Sequence, residues 1–321
     1  MSILPFNPET FITRAEGYVK ATVGKSIAIT AVSGGVDSFV AATIASRAVP
    51  GQLVTVYVDN GLMRKGETGR VKAAAESAGI KLLVVDAKKE FLGALAGITE
   101  PEKKRKAIGE LFIRIFEREA GRSGAKFLIQ GTIAPDWIES GGLGRDTIKS
   151  HHNVGGLPEK MDLKLCEPLR ELYKHEVRMV GRALGLPAAI CDRQPFPGPA
   201  LAVRIVGEVS EDKVRIVQDA CAIVEEELEK AAAEKRMEIP WQYFAALLPS
   251  KTVGVRGDER AYQYTVVVRA VRSLDGMTAN FSHVPFEVLQ KISTRITNEI
   301  RDVGRVTYDI TNKPPGTIEL E

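Results

Sequence analysis

Short apolar runs alternate with amphipathic stretches from Lys25 to about Gly185. Ser26–Val32 (SIAITAV), Gln52–Asp59 (QLVTVYVD), Lys81–Asp86 (KLLVVD) and Lys126–Gln130 (KFLIQ) read as buried strands. The alanine-rich Phe39–Val49 and the stretch through Arg70 to Ala78 read as helices. Glu102–Glu119 reads as a longer helix, with Ile108, Leu111, Phe112, Ile115 and Phe116 at helical spacing. Parallel neighbours need crossover connections, so this alternation predicts an α/β fold with a doubly wound parallel sheet. Ligands of such sheets bind beyond the carboxyl ends of the strands.

The texture changes after Pro187. Arg193–Pro199 (RQPFPGP) holds three prolines and a glycine and reads as a stiff linker. Beyond it the pattern predicts a strand over Leu201–Val206, a helix over Glu211–Ala233 and strands over Phe244–Leu248 and Ala261–Val271. A helix over Phe286–Ile300 and a last strand over Arg305–Ile310 follow. That order predicts a smaller α+β domain with an antiparallel sheet and helices on one face. The expected division is a first domain over 1–190, a linker over 191–200 and a second domain over 201–321.

Composition narrows the class. A net charge of +3, from 44 basic and 41 acidic residues, is too small to predict a nucleic-acid footprint. The run Lys103-Lys104-Arg105-Lys106 reads equally well as a solvated helix face. Cys166, Cys191 and Cys221 form no CxxC pair, which argues against a disulfide framework or zinc knuckle and for buried thiols. No secretory leader is visible, and no apolar run approaches the roughly 18 residues of a membrane span, so a cytoplasmic protein with no membrane partner is expected.

Candidate chemistry starts at Ser33-Gly34-Gly35-Val36-Asp37-Ser38, followed by Phe39, between the first strand and its helix. Paired glycines admit a close ligand, and the helix aims backbone N–H groups into the loop. Ser33 and Ser38 add hydroxyls, so the loop is an anion cradle. It matches neither GxxxxGK[ST] nor GxGxxG. Asp37 in an anion site requires an intervening cation, which predicts Mg²⁺ on phosphates with Asp37 as its ligand. The bland alternative is a glycine turn in which Asp37 or Ser38 caps the helix. Asp59, ending the second strand in VDNG, is placed to meet ribose or adenine, or else is a turn residue ahead of Gly61.

SGGVDS after a strand, with VDNG ending the next, resembles the pyrophosphate-loop ATPases, adenine nucleotide alpha hydrolase-like proteins that cleave ATP between the α and β phosphates. QGTIAPDWIES (130–140), IKSHHNVGGLP (148–158), EPLRELYKHEVR (167–178), RQPFPGPALAVR (193–204) and KPPGTIELE (313–321) resemble GMP synthetase. The similarity runs from near Ser26 to the end of the chain.

The resemblance implies a ligase that adenylates the purine O2 of xanthosine 5′-monophosphate, releases pyrophosphate and lets ammonia displace AMP to give GMP. ATP is then a substrate and Mg²⁺ its companion. A purine carbonyl oxygen is a poor leaving group and AMP a good one, and donors on the developing charge are each worth about 3 kcal/mol. Ser33, Gly34, Gly35, Val36, Asp37, Ser38, Phe39, Asp59, Gly131 and Thr132 would hold the adenine nucleotide. Lys149, in a family lid near 140–160, would stabilise transition-state charge on the phosphates, with His151 and His152 nearby. Asp136 is a second candidate for metal or lid contacts, or else a turn cap. Arg105, Gln242, Asp258, Arg260, Lys313 and Glu319 would bind the purine nucleotide, Arg105 at its 5′-phosphate.

The family usually ends TIEWE, where this chain has Leu320 for the tryptophan, and Ala200 replaces the second glycine of PFPGPGL. Only about thirty residues precede SGGVDS and none is cysteine, so a glutaminase domain is not expected. The chain resembles a separate ATP-pyrophosphatase subunit that takes ammonia from a partner, a glutamine amidotransferase subunit. Family analogy also implies a homodimer through the second domain. Rival readings are an NAD synthetase, an RNA-thiolating or argininosuccinate-forming relative, or a purine-nucleotide sensor without catalysis.

Overall fold

A computed structural model describes residues 6–134, 163–274 and 276–321. In chain order its elements begin α1 (Pro8–Val23), β1 (Ala28–Ala31), α2 (Val36–Ala48), β2 (Leu53–Asp59), α3 (Glu67–Ser77) and β3 (Leu82–Asp86). They continue α4 (Lys88–Leu95), α5 (Pro101–Ser123), β4 (Phe127–Ile129), β5 (Lys164–Cys166), α6 (Lys174–Ala183) and α7 (Ala188–Cys191). The chain ends in a 3₁₀ turn (Ala200–Arg204), α8 (Glu211–Ala233), β6 (Gln242–Arg256), β7 (Glu259–Arg272), β8 (Asn280–Phe281), α9 (Phe286–Glu299) and β9 (Val303–Tyr308). Contacts divide it into a first unit of Met1–Asn60, Gly66–Ala87 and Gly109–Arg193, and a second of Gly61–Lys65, Lys88–Ile108 and Gln194–Glu321.

The first unit is built on a parallel sheet of order β3-β2-β1-β4-β5, the α/β architecture expected. β1 lies at its centre, where Ala28, Ile29 and Thr30 are buried and the Thr30 hydroxyl donates to the Ile129 carbonyl at 2.9 Å. The chain leaves β1 toward β2 and β3 and returns to β4 on the other side. The loops after β1 and β4 therefore flank the switch point where such sheets bind ligands. α2 is buried over most of its surface, from Val36 to Ala45, which explains its alanine-rich, weakly amphipathic sequence. α1, absent from the expectations above, starts with the Asn7 side chain accepting from the Thr10 N–H at 2.8 Å. It buries Phe11, Ala15, Val19 and Val23 at a spacing of four.

The second unit is dominated by the β6–β7 hairpin, whose arms run 15 and 14 residues. The expected strands are shorter, because the outer arms are exposed and carry no continuous apolar run. β6 and β7 pair antiparallel as expected; the short β8, absent from the expectations above, also joins β7 antiparallel, but β9 joins it in parallel. α8 and α9 bury regularly spaced apolar residues, Val217, Ala220, Val224, Leu228 and Ala231 on the first and Val288, Ile292 and Ile296 on the second.

Leu201–Val206 is not the expected strand. Pro197 accepts the Ala200 N–H at 2.9 Å and starts the 3₁₀ turn, while Ile205 alone of that run forms a bridge, with Leu247. Burial on every side gives the run its strand-like texture. Ala200 sits at φ 55°, a left-handed conformation that favours glycine, so the substitution noted in the linker is a backbone matter. Cys166, Cys191 and Cys221 are buried free thiols.

Candidate active site

The SGGVDS loop joins β1 to α2 at the switch point. Gly34 takes φ 88°, and Gly35 is the N-cap of α2 with no side-chain cap. Phe39 N–H donates to the Gly35 carbonyl at 3.2 Å, so the N–H groups before it have no helical acceptor. Ser38 Oγ donates to the Gly35 carbonyl at 2.9 Å and accepts from the Ser33 N–H at 3.2 Å. The two serine hydroxyls stand 3.3 Å apart. The loop thus holds its own shape, and neither Asp37 nor Ser38 caps the helix.

Asp37 is instead a site carboxylate. Its Oδ2 meets Lys174 Nζ at 2.5 Å. Its Oδ1 is buried with no hydrogen-bond partner among the described residues. Lys174 is the first residue of α6, a start fixed by Glu176 accepting the Tyr173 N–H at 2.8 Å. Sequence reasoning gives Lys174 no role, although the helix-start signal of Tyr173 and Glu176 is present in ELYKHEV.

Glu67, the first residue of α3, stands behind Gly34 in a double ion pair with Arg193. The Glu67 side chain is 1% exposed and that of Arg193 16%. A Cβ on Gly34 would fall 2.6 Å from Glu67 Oε1. Gly131, after β4, closes the other side, where its added Cβ would lie 2.9 Å from the Asp37 carbonyl oxygen. The Thr132 hydroxyl beside it is buried with no hydrogen-bond partner among the described residues.

Asp59 is 7% exposed, and its Oδ2 accepts from the Thr68 hydroxyl at 2.7 Å. Tyr57 OH lies 3.4 Å from that hydroxyl. Burial, with Glu67 and Asp59 adding to it against the Thr68 hydrogen bond, pushes Tyr57 up to about 12. The Phe39 and Val36 side chains belong to the apolar core, Phe39 wholly buried, and the Phe39 N–H is bonded within the helix, so any contact of Val36 with a nucleotide would be through its backbone.

The expected purine-nucleotide residues fall in the second unit in two groups. Gln242, Glu319, Arg105 and Lys313 are tied to the C-terminal segment. Glu319 accepts from Arg204 Nε and Nη2, both at 2.9 Å, and from Gln242 Nε2 at 2.8 Å. Arg105 Nη2 donates to the Glu321 backbone oxygen at 2.7 Å, and Lys313 Nζ to the Gly276 carbonyl at 2.8 Å. Asp258 and Arg260 lie exposed at the far tip of the β6–β7 hairpin. Among the basic run, Lys104 is wholly buried on Glu321 and the Ile205 carbonyl, and burial, against the pull of Glu321, lowers its pKa.

Arg269, also wholly buried, donates to the carbonyls of Thr311, Thr317 and Ile318. The C-terminal segment is therefore docked with Leu320 in place of tryptophan. Sequence reasoning misses Lys104, Arg204 and Arg269 as its anchors. Lys149, Asp136, His151 and His152 lie outside the described residues. No helix among the described residues is long and apolar enough to cross a membrane.

Residues 226–320 match the family model of the GMP synthase C terminal domain. A subunit of the glutamine-hydrolyzing GMP synthase of Pyrococcus furiosus is 58% identical over 314 residues, 98% of this chain and 97% of that one. Its counterpart in Methanopyrus kandleri is 55% identical over 317 residues, 98% of this chain and all of that one. The glutamine-hydrolyzing GMP synthase of Thermotoga petrophila is 55% identical over 307 residues, 95% of this chain but 61% of its own length. Among solved structures, NMN synthetase from Francisella tularensis aligns with a TM-score of 0.48 at 17% identity, covering 67% of this chain and 87% of that one.

Proposed function

The chain belongs to the GMP synthase family, and on that premise we propose that it is a cytoplasmic ligase that aminates xanthosine 5′-monophosphate to GMP at the expense of ATP. The reaction passes through an adenyl intermediate and releases AMP and pyrophosphate. The ammonia comes from a separate glutamine amidotransferase. The names of the relatives, which call them one subunit of a glutamine-hydrolyzing enzyme, support that division.

One observation carries the reading. A self-braced glycine loop presents the N-terminus of α2 beside Asp37 and Lys174. The backbone N–H groups bind the departing pyrophosphate, which is the anion that such a terminus suits. Lys174 and, by family likeness, Lys149 neutralise charge that grows as the α-phosphorus is attacked. Gly131 and Thr132 line the nucleotide at the end of β4, and Asp59 takes a ribose hydroxyl.

The donor set fits Mg²⁺. Asp37 Oδ1 is a buried carboxylate oxygen with no hydrogen-bond partner among the described residues. Those residues offer no cluster of three or more metal-ligating side chains. One carboxylate completed by phosphate oxygens is how Mg²⁺ is commonly held in nucleotide sites. Asp37 would hold the ion, which would supply charge neutralisation on the phosphates.

The purine-nucleotide residues imply a homodimer. Gln242 starts β6, and Arg260, near the start of β7, pairs with Val255, 13 residues along β6 from Gln242. At roughly 3.3 Å per residue the two ends stand on the order of 40 Å apart, several times the span of a nucleotide. Asp258 and Arg260 of one copy can therefore serve the Gln242 and Glu319 of another, but not those of their own chain. The exposed Val253, Val255 and Tyr262 on the outer hairpin support burial of that region against a second copy.

The test is an assay of the purified chain with ATP, Mg²⁺, ammonium and xanthosine monophosphate. AMP and pyrophosphate should form in step with GMP. Tight nucleotide binding without turnover, or turnover with a different acceptor alone, would overturn the assignment.

A further inference from the structure

Arg204 is wholly buried, yet it does not sit in an apolar exchange of equal parts. Its Nε and Nη2 grip the two oxygens of Glu319, each at 2.9 Å. Its guanidinium lies 4.0 Å from the centroid of the Phe244 ring and 5.1 Å from that of Phe196. Phe196 comes from the RQPFPGP segment and also carries the Arg64 guanidinium, at 4.2 Å. The segment that reads as a stiff linker thus delivers one aromatic ring beneath two buried cations.

Burying an ion pair is an inefficient route to stability, since well-packed apolar side chains of similar volume serve as well or better. The geometry instead controls direction. A guanidinium held by two rings has its plane fixed, and a two-point contact transmits that plane to the carboxylate. Glu319 Oε1 also accepts from Gln242 Nε2 at 2.8 Å. Three donors thus occupy a group with about four acceptor positions. The open position is on Oε2, and the Glu319 side chain keeps 15% of its exposure.

We infer that Arg204 is a positioning residue. With Phe196 and Phe244 setting its plane and Gln242 assisting, it holds Glu319 as an oriented acceptor for a ring N–H of the purine substrate. This rests on the reading that the chain takes xanthosine monophosphate. It gives the RQPFPGP segment a part in substrate recognition.

Arg204→Lys keeps the charge and loses both the fork and the stacking. It should raise the apparent KM for xanthosine monophosphate about tenfold or more, while kcat at saturation and the KM for ATP stay within about twofold. Phe196→Leu removes the ring without removing a charge and should move the same KM in the same direction by a smaller factor. A merely structural role would lower kcat or the yield of folded enzyme and leave the two KM values moving together. An unchanged KM for xanthosine monophosphate in folded Arg204→Lys overturns the inference. If that variant does not fold, an unchanged KM in Phe196→Leu does so. Wild-type enzyme that shows no turnover with xanthosine monophosphate would sink the functional reading itself, a separate outcome visible before any variant is made.

Discussion

Gly131 and Asp37 meet backbone to backbone: a Cβ on Gly131 would lie 2.9 Å from the Asp37 carbonyl oxygen and 3.2 Å from the Ser38 nitrogen. No side-chain rotation can relieve such a contact, so Gly131→Ala must push the loop after β1 away from the end of β4. The expected result is a loss of pyrophosphate release of about a hundredfold, because small displacements of positioning groups are costly. The accompanying stability loss, read by urea unfolding, should stay near 1 to 3 kcal/mol, an overpacking effect. Activity retained within twofold would show that the two loops do not act together.

Lys174→Met removes the ammonium group from beside Asp37 Oδ2. Because the 2.5 Å contact joins a group on α6 to one in the cradle, kcat should fall by about a hundredfold or more. Circular dichroism should remain that of the wild type, since Lys174 is half-exposed.

Lys149→Ala should lower kcat much more than it raises the KM for ATP, the pattern of a contact made mainly in the transition state. Steady-state kinetics against ATP checks this directly. An unchanged kcat would remove Lys149 from the chemistry.

Arg260→Ala and Glu319→Ala should each abolish turnover when pure. Mixed in equal amounts and allowed to exchange protomers, they should recover about a quarter of wild-type activity, because half of the dimers then carry one intact site. No recovery after demonstrated exchange would place Arg260 outside the partner's site.

Burial favours the protonated form of Glu227, but hydrogen bonds and charge from Lys291 and Arg295 outweigh it and hold the carboxyl below its ordinary 4.5. Glu299 is lowered in the same way, chiefly by Arg295. A depressed carboxyl contributes stability that is complete above the unfolded-state value and is lost as pH falls through the lower folded value. Thermal unfolding from pH 7 downward should therefore show the wild type losing more stability below about pH 4.5 than Glu227→Gln does. Parallel curves for the two proteins would show that these pairs are not coupled to folding.

The cradle is legible in the sequence because its chemistry is local. Paired glycines between a strand and a helix can be read from a handful of residues, and the parallel sheet from the alternation of apolar runs. What escapes notice acts at a distance. Lys174 is 137 positions from Asp37, and Arg193 is 126 from Glu67. Lys104, Arg204 and Arg269 escape for a different reason, since basic residues are ordinarily exposed and nothing nearby in sequence says otherwise. RQPFPGP is legible as a chain stiffener but not as the source of a stacking ring. For Phe39 the sequence gives adjacency to the motif but not the direction of its side chain, which the helix turns into the core.

The C-terminal anchors also bear on the order in which the chain can fold. The strands of the first sheet are complete by Cys166. Lys104 emerges early and finds Glu321 217 positions later. Until then it is a bare ammonium with an apolar destination, and Arg204 waits through 115 positions for Glu319. Loop closures of that length slow folding. On a translating ribosome the second unit would thus be the late one, and its interior cations would keep it open and solvated until the acidic end of the chain arrives to neutralise them.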